Sequence, residues 1–196
     1  MTSRRVAVTG LGILSPVGND KDTFFANLMA GKSGIKKLET DFVDQLDCKI
    51  AAYINDFDPL AHFVKNKAAT MDRVTQFAVS ASQQAIEDAG LDLEKEDRER
   101  MGVYLGTGMG GAASIEEGYV RLYKEQARRL KPFTVLMAMN NAASAQVALD
   151  FGLTGPDLTF CTACSSSTVA IGEAVRQIRH GYADVMLAGG SEALLT

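Results

Sequence analysis

The feature that most constrains this chain is the stretch Phe160-Cys161-Thr162-Ala163-Cys164-Ser165-Ser166-Ser167. Before it, Pro156-Asp157-Leu158-Thr159-Phe160 reads as a short buried strand entered from a turn. After it, Ile171, Ala174, Val175 and Ile178 recur at i, i+3, i+4 and i+7, which is one face of a helix. Gly181 then stops that helix. Cys164 therefore sits where a strand turns sharply into a helix. A thiol in that place meets unpaired backbone N–H groups and the positive end of the helix dipole. Both favour the thiolate, which is the nucleophilic form. The same N–H groups would hold an oxyanion formed on a thioester carbonyl. The three serines keep the turn small and polar, and any of them suits a helix N-cap. Two readings fit the cysteine: a buried structural thiol and a nucleophile.

Around this corner the chain alternates strands and helices. Residues 5–9 form a Val-rich segment ended by Gly10 and Gly12, a first strand. Residues 20–30 read as a helix, with Phe24, Phe25 and Leu28 on one face and Gly31 at its end. Residues 31–47 are polar and read as loop, and 49–54 as a strand. Asp58-Pro59 starts a short helix, since Pro suits a first helical position. Residues 72–89 carry Val74, Phe77, Ala78, Ala81, Ala85 and Ile86 at helical spacing, ended by Gly90. Residues 94–100 are a mixed charge run, a solvated face. Residues 101–106 form an apolar run of strand length, 114–130 and 140–151 read as helices, and 183–188 as the last strand. The alternation predicts an α/β fold: a mixed, largely parallel sheet with helices on both faces.

At 196 residues the length allows one domain or two small ones, and a hydrophobic content of 46% supports a sizeable core. A net charge of −4 provides no basic field for nucleic acid. The odd count of three cysteines, Cys48, Cys161 and Cys164, is no disulfide framework and suits a reducing cytosol. No apolar run approaches membrane-spanning length, and the N-terminus lacks the pattern of a signal peptide.

Four other patterns bear on function. Gly106-Thr107-Gly108-Met109-Gly110-Gly111 fits G-x-G-x-x-G after a strand, but no strand and no acidic residue follow about 20 positions on. The dinucleotide reading is rejected, leaving a loop whose glycines let backbone approach a ligand closely, or a tight strand–helix turn. Cys161-Thr162-Ala163-Cys164 is also C-x-x-C, yet only the second cysteine opens the helix, so Cys161 reads as a small buried hydrophobe. Without a second such pair, no four-cysteine zinc site forms and no metal is expected. His62 lies in a short amphipathic helix and His180 at a helix C-terminus, where an imidazolium suits the dipole. Arg121, Lys124, Arg128, Arg129 and Lys131 form a basic cluster, as a solvated face would.

Thr162-Ala163-Cys164-Ser165-Ser166-Ser167, followed by a helix and by Ala183-Asp184-Val185-Met186-Leu187-Ala188-Gly189-Gly190-Ser191-Glu192, resembles the β-ketoacyl-acyl-carrier-protein synthases of the thiolase superfamily. So do Arg5-Val6-Ala7-Val8-Thr9-Gly10-Leu11-Gly12, Ser15-Pro16-Val17-Gly18, Gly31-Lys32-Ser33-Gly34-Ile35, Met71-Asp72-Arg73 and the glycine loop. The resemblance covers residues 1–196 in order, but only the N-terminal half of the family pattern; the C-terminal half is absent from this chain. It implies one half of the five-layer αβαβα thiolase-like fold. It implies an enzyme of the elongating type that performs decarboxylative Claisen condensation in fatty acid chain elongation. In that reading Cys164 carries the acyl group received from an acyl carrier protein, and the second substrate is malonyl on the carrier's phosphopantetheine. Gly108 and Met109 would border the acyl pocket near a partner subunit, with Phe133 beside it, and Arg128 and Arg129 would face the carrier. The family's two catalytic histidines belong to the other half, so the fragment by itself is expected to be inactive. The resemblance further implies a cytoplasmic homodimer with no cofactor. Ser165-Ser166-Ser167 stands where the family usually has a glycine two or three positions after the cysteine, a form also at home in polyketide synthases. Two alternatives therefore accompany this reading: a polyketide ketosynthase, and a non-catalytic acyl-binding or dimer-scaffold subunit, against which the retained Cys164 argues.

Overall fold

The computed structural model describes residues 4–40 and 42–195. Asp41, inside the expected 31–47 loop, and the two ends of the 1–196 span lie outside the described residues. In chain order the elements are α1 (Lys21–Met29), β1 (Ile35–Lys37), β2 (Ile50–Ala52), α2 (Pro59–His62), α3 (Lys65–Ala68), α4 (Arg73–Asp88) and β3 (Met101–Gly106). Then follow α5 (Ala112–Tyr119), α6 (Thr134–Ala138), α7 (Ala142–Phe151), β4 (Asp157–Phe160), α8 (Ser166–His180) and β5 (Val185–Gly190). Short 3-10 turns lie at Val43–Gln45 and Arg98–Arg100.

Local chemistry explains where the main helices begin and end. The Asp20 carboxylate caps α1 through the Thr23 N–H at 2.8 Å, and that of Asp72 caps α4 through the Val74 N–H at 3.1 Å. Asp58 caps α2 with Pro59 at its first position. Gly181, with φ +80°, closes α8 in the left-handed conformation that a side chain disfavours.

β3 is the centre of a three-stranded sheet of order β4-β3-β5, parallel throughout. β1 and β2 make a separate antiparallel ribbon, Ile35 opposite Ala52. All six residues of β3 are buried, because both faces of the sheet are covered. α8 packs against all three strands on one face; α7 and α4 cover the other. There Met101, Val103, Leu105 and Leu187 meet Val79, Ile86, Ala143 and Val147 in the main core. Each of these side chains larger than Ala143 contributes about 1.5–3 kcal/mol when fully buried.

Several expectations require correction. Residues 5–9 are not a strand. Just beyond them the chain lies along α4 instead: the Leu11 N–H donates to Asp88 and the Ile13 N–H to Gln84. A ladder needs a neighbouring strand to receive its N–H groups. Val8 is left 80% exposed. The expected loop holds β1 and a 3-10 turn, and the 49–54 strand shortens to β2. The 114–130 helix ends early: α5 widens into a π-helical turn at Val120–Lys124 and breaks at Gln126, whose φ is +55°. α6 is an additional helix, and the last strand runs two residues later than expected. β4 is an edge strand rather than a buried one, with Leu158 exposed. On α8 the buried side is Ser166, Ala170 and Ala174, while Ile171 is exposed, because only small residues fit between this helix and the sheet.

Candidate active site

The carboxyl ends of β3, β4 and β5 converge, and each runs into a loop of the candidate site. β3 leads into the glycine loop, β4 into the Cys164 corner and β5 into Ser191-Glu192. From β3 the chain crosses to β4 on one side, then passes back over β3 to β5 on the other. Such a reversal opens a crevice outside the strand ends, the usual binding place in parallel α/β sheets.

The corner after β4 is built from close contacts. Ala163 has φ +53°, the left-handed region that costs an L-residue about 1–3 kcal/mol. The turn is closed by Ser165 N–H to Thr162 C=O at 3.3 Å and Ser166 N–H to Ala163 C=O at 3.1 Å. No serine side chain caps α8, contrary to expectation. Ser165 and Ser166 fold back instead. Ser165 Oγ donates to Thr162 C=O at 2.8 Å, and Ser166 Oγ accepts the Thr162 N–H at 2.8 Å. Ser166 Oγ also lies within donating distance of two carbonyls, Ala163 at 2.7 Å and Thr107 at 3.1 Å. The hydroxyls thus hold the turn rather than the helix end. Cys164 is left exposed, one residue before the N-cap of α8.

Gly106 decides how near the helix comes. A methyl group there would lie 2.2 Å from the Ser166 carbonyl carbon, closer than any real contact. The first turn of α8 therefore rests directly on the end of β3. Beyond it, Thr107 N–H donates to Phe160 C=O at 3.1 Å, tying the glycine loop to β4. Asn140 closes the other side. Its Nδ2 reaches the Cys161 sulfur at 3.3 Å, and its Cα would sit 2.9 Å from a methyl group at Gly110, which has φ +60°. Cys161 is exposed rather than buried, because its strand stops at Phe160.

The structure thus ties the corner that carries Cys164, through Ser166 and Phe160, to Thr107 at the start of the loop carrying Gly108 and Met109, and leaves the other candidate residues apart. Met109 is exposed on that loop. Phe133, also exposed, precedes α6 and lines a cavity of about 300 Å³ with Leu136, Met137 and Leu149, which neither Met109 nor Cys164 borders. A second, almost wholly apolar cavity of about 330 Å³ lies between α5 and α6, walled by Ile115, Tyr119, Leu122 and Val135. Arg128 and Arg129 are exposed in the irregular segment after the π-helical turn. His62 stacks on Phe57 with centroids 4.7 Å apart, and His180 ends α8. Among the described residues no cluster of three or more His, Cys, Asp and Glu is placed to hold a metal ion, and no helix is long and apolar enough to cross a membrane.

Sequence reasoning missed Asn140, Thr107, Ser166 and Glu192 as parts of the site. Glu192 carried a signal, an acid two residues after the last strand; the others act through long-range contacts that no local pattern marks.

This geometry has counterparts. Residues 3–196 match the family model "Beta-ketoacyl synthase, N-terminal domain". The 3-oxoacyl-[acyl-carrier-protein] synthase 2 of Staphylococcus aureus (strain COL) is 38% identical over 194 residues, 99% of this chain and 47% of the relative. The chain spans about half the length of the curated relatives it matches. Among solved structures, the ishigamide ketosynthase/chain length factor superposes with a TM-score of 0.87 at 26% identity, covering 98% of this chain and 48% of that one. A type II PKS acyl-carrier protein in complex with its ketosynthase bound to the hexaketide matches with a TM-score of 0.79 at 27% identity, covering 95% and 50%.

Proposed function

This chain belongs to the β-ketoacyl synthase family, and from that premise we propose that it is the nucleophile-bearing N-terminal half of an elongating β-ketoacyl-acyl-carrier-protein synthase. The observation that carries the reading is the exposed Cys164 on a strained turn at the parallel strand ends, beside a glycine loop. The Cys164 thiolate attacks the carbonyl of a carrier-bound acyl thioester. The C–S bond to the carrier breaks, the phosphopantetheine leaves as a thiolate that takes up a proton from water, and an acyl-Cys164 remains. Malonyl-carrier then loses carbon dioxide, and the carbanion so formed attacks the acyl-Cys carbonyl. The C–S bond breaks, returning the Cys164 thiolate and releasing a β-ketoacyl-carrier. Backbone N–H groups at the corner, that of Cys164 included, hold the oxyanion of both tetrahedral intermediates. Two histidines of the other half promote decarboxylation.

Gly108 and Met109 border the acyl chain in this reading, whereas Phe133 lines a cavity apart from them. Arg128 and Arg129, exposed at the end of the basic cluster, receive the acidic carrier protein. The second protomer of a homodimer fits the open edge of β4, where Leu158 is exposed. Three free thiols suit the cytoplasm. A polyketide substrate is the second reading, favoured by Ser165-Ser166-Ser167 and by the likeness to a type II PKS ketosynthase.

Incubating the full-length protein with acyl-carrier protein tests the proposal, with intact-mass spectrometry as readout. One acyl group is expected on the wild type, located on Cys164 by peptide mapping, and none on Cys164→Ser. Acylation at Cys48 or Cys161, or none at all, overturns it. Primers of fatty acyl and polyketide type separate the two readings.

A further inference from the structure

Glu192 follows β5 and is used by nothing in the mechanism above, yet its carboxylate reaches across the strand ends. Oε2 accepts the Gly108 N–H at 2.6 Å, and Oε1 lies 3.4 Å from the Thr107 hydroxyl. A methyl group at Gly108 would sit 2.8 Å from Oε2, so the carboxylate lies directly against the glycine loop. The residue before it is pinned twice. Ser191 N–H donates to Gly106 C=O at 3.1 Å, and Ser191 Oγ donates to Val74 C=O in the first turn of α4 at 2.8 Å. The carboxylate therefore swings from a backbone already tied to β3 and α4.

The Thr107 hydroxyl completes the device. A carboxylate only accepts, so the hydroxyl proton points to Glu192 and a lone pair is left facing away. That lone pair takes the Gly110 N–H at 3.1 Å. One acid thus holds Gly108 directly and Gly110 through Thr107, fixing the backbone on either side of Met109. Thr107 C=O in turn lies 3.1 Å from Ser166 Oγ, which holds the Cys164 turn.

We propose that Glu192 is a positioning residue: its carboxylate clamps the glycine loop, and so sets where Met109 stands against the acyl chain. The clamp rests on the geometry above; its consequence for acyl-chain selection rests on the proposed function. Two readouts in the full-length protein separate these, on Glu192→Leu and Glu192→Asp with Glu192→Gln as the control. Glu192→Leu removes both acceptors. Glu192→Asp keeps the charge and the solubility of the site but is one methylene short of Gly108.

Peptide-resolved hydrogen exchange over residues 106–111 reads the clamp without any activity. Both variants are expected to exchange there about tenfold faster than wild type, and Glu192→Gln, whose amide oxygen still accepts from Gly108, to stay nearer wild type. Unchanged exchange in both variants overturns the proposal. Acyl-Cys164 formation against primer length reads the consequence. The ratio of long- to short-primer rates is expected to change about fivefold in Glu192→Leu, with iodoacetamide labelling of Cys164 within about twofold of wild type. Loss of labelling in step with acylation at every length overturns the selective role, because Glu192 then merely supports the fold. A wild type that forms no acyl-Cys164 defeats the proposed function, and the exchange experiment still decides the clamp.

Discussion

The two faces of the β4-β3-β5 sheet are packed by opposite means. Toward α4 and α7, Met101, Val103, Leu105 and Leu187 interlock with other large apolar side chains. Toward α8, Tyr104 is flanked by Ala170 and Ala174, and Gly106 lies against the backbone of Ser166. The first face stabilises through buried area, which tolerates small displacements. The second holds little area, but it lets helix backbone meet strand backbone. That contact places the Cys164 turn to within hydrogen-bond reach of Thr107. One face keeps the unit folded; the other aims a thiol.

The sharpest way to break this division is Gly106→Ala in the full-length protein. The added methyl group cannot coexist with Ser166, so α8 must retreat. Cys164 acylation should fall about a hundredfold, as displacements near 1 Å do. Overpacking should also destabilise by about 1–3 kcal/mol. Acylation at the wild-type rate would show that close approach does not position Cys164.

Met101→Ala probes the other face. Met101 is 2% exposed, so the cavity left behind should cost about 2–5 kcal/mol, read from the denaturation midpoint. In the folded fraction the labelling rate of Cys164 should stay within about twofold, since the α8 side is untouched. A matching loss of labelling would mean that the two faces are coupled.

A smaller effect belongs to the outward side of α8. Ile171 is 47% exposed in this chain, which spans about half of its relatives. If the other half covers that side, Ile171→Ser should destabilise the full-length protein by about 1–3 kcal/mol. A change within about 0.5 kcal/mol would leave the side facing water.

The smallest effect lies off both faces, at the start of β5. Arg100 Nε meets Asp184 Oδ2 at 2.5 Å, and Arg4 reaches Oδ1 at 3.1 Å. The Arg100 hydrogen bond, with Arg4 adding to it, holds the Asp184 carboxyl down to about 2. Because the carboxyl titrates lower folded than unfolded, its contribution is whole above about pH 4 and is lost as pH falls toward about 2. Asp184→Asn should flatten that part of the stability–pH curve and leave Cys164 labelling unchanged. Parallel curves for wild type and variant between those pH values would remove Asp184 from the acid response.

These contrasts also mark what local pattern carries. β3 was legible because it is a continuous apolar run of strand length, and α4 because Asp72 and Gly90 bracket a clear 3.6-residue period. The strand–turn–helix around Cys164 was legible for the same reasons, as were the glycine loop and its place after a strand. The expected strand at 5–9 failed because pairing is a property of two segments, and the donors of the adjoining residues, Leu11 and Ile13, go to Asp88 and Gln84 instead. The register of α8 failed because periodicity favours large apolar residues for the core, whereas Gly106 admits only small ones. Asn140, Thr107 and Ser166 were silent for a related reason: each acts on a neighbour far along the chain.

The sequence by itself determined β3, the helices α1, α4 and α8 with their ends, and the presence of a cysteine at a strand-to-helix corner beside a glycine loop. Those depend on spacing, capping side chains and turn residues, all of which act within a few positions. Only the tertiary structure decided which side of α8 is buried, that the serines after Cys164 hold the turn rather than cap the helix, and that a carboxylate after β5 reaches the loop after β3. Those outcomes depend on which backbones come within van der Waals or hydrogen-bond distance, and packing the parallel strand ends together is what sets that distance.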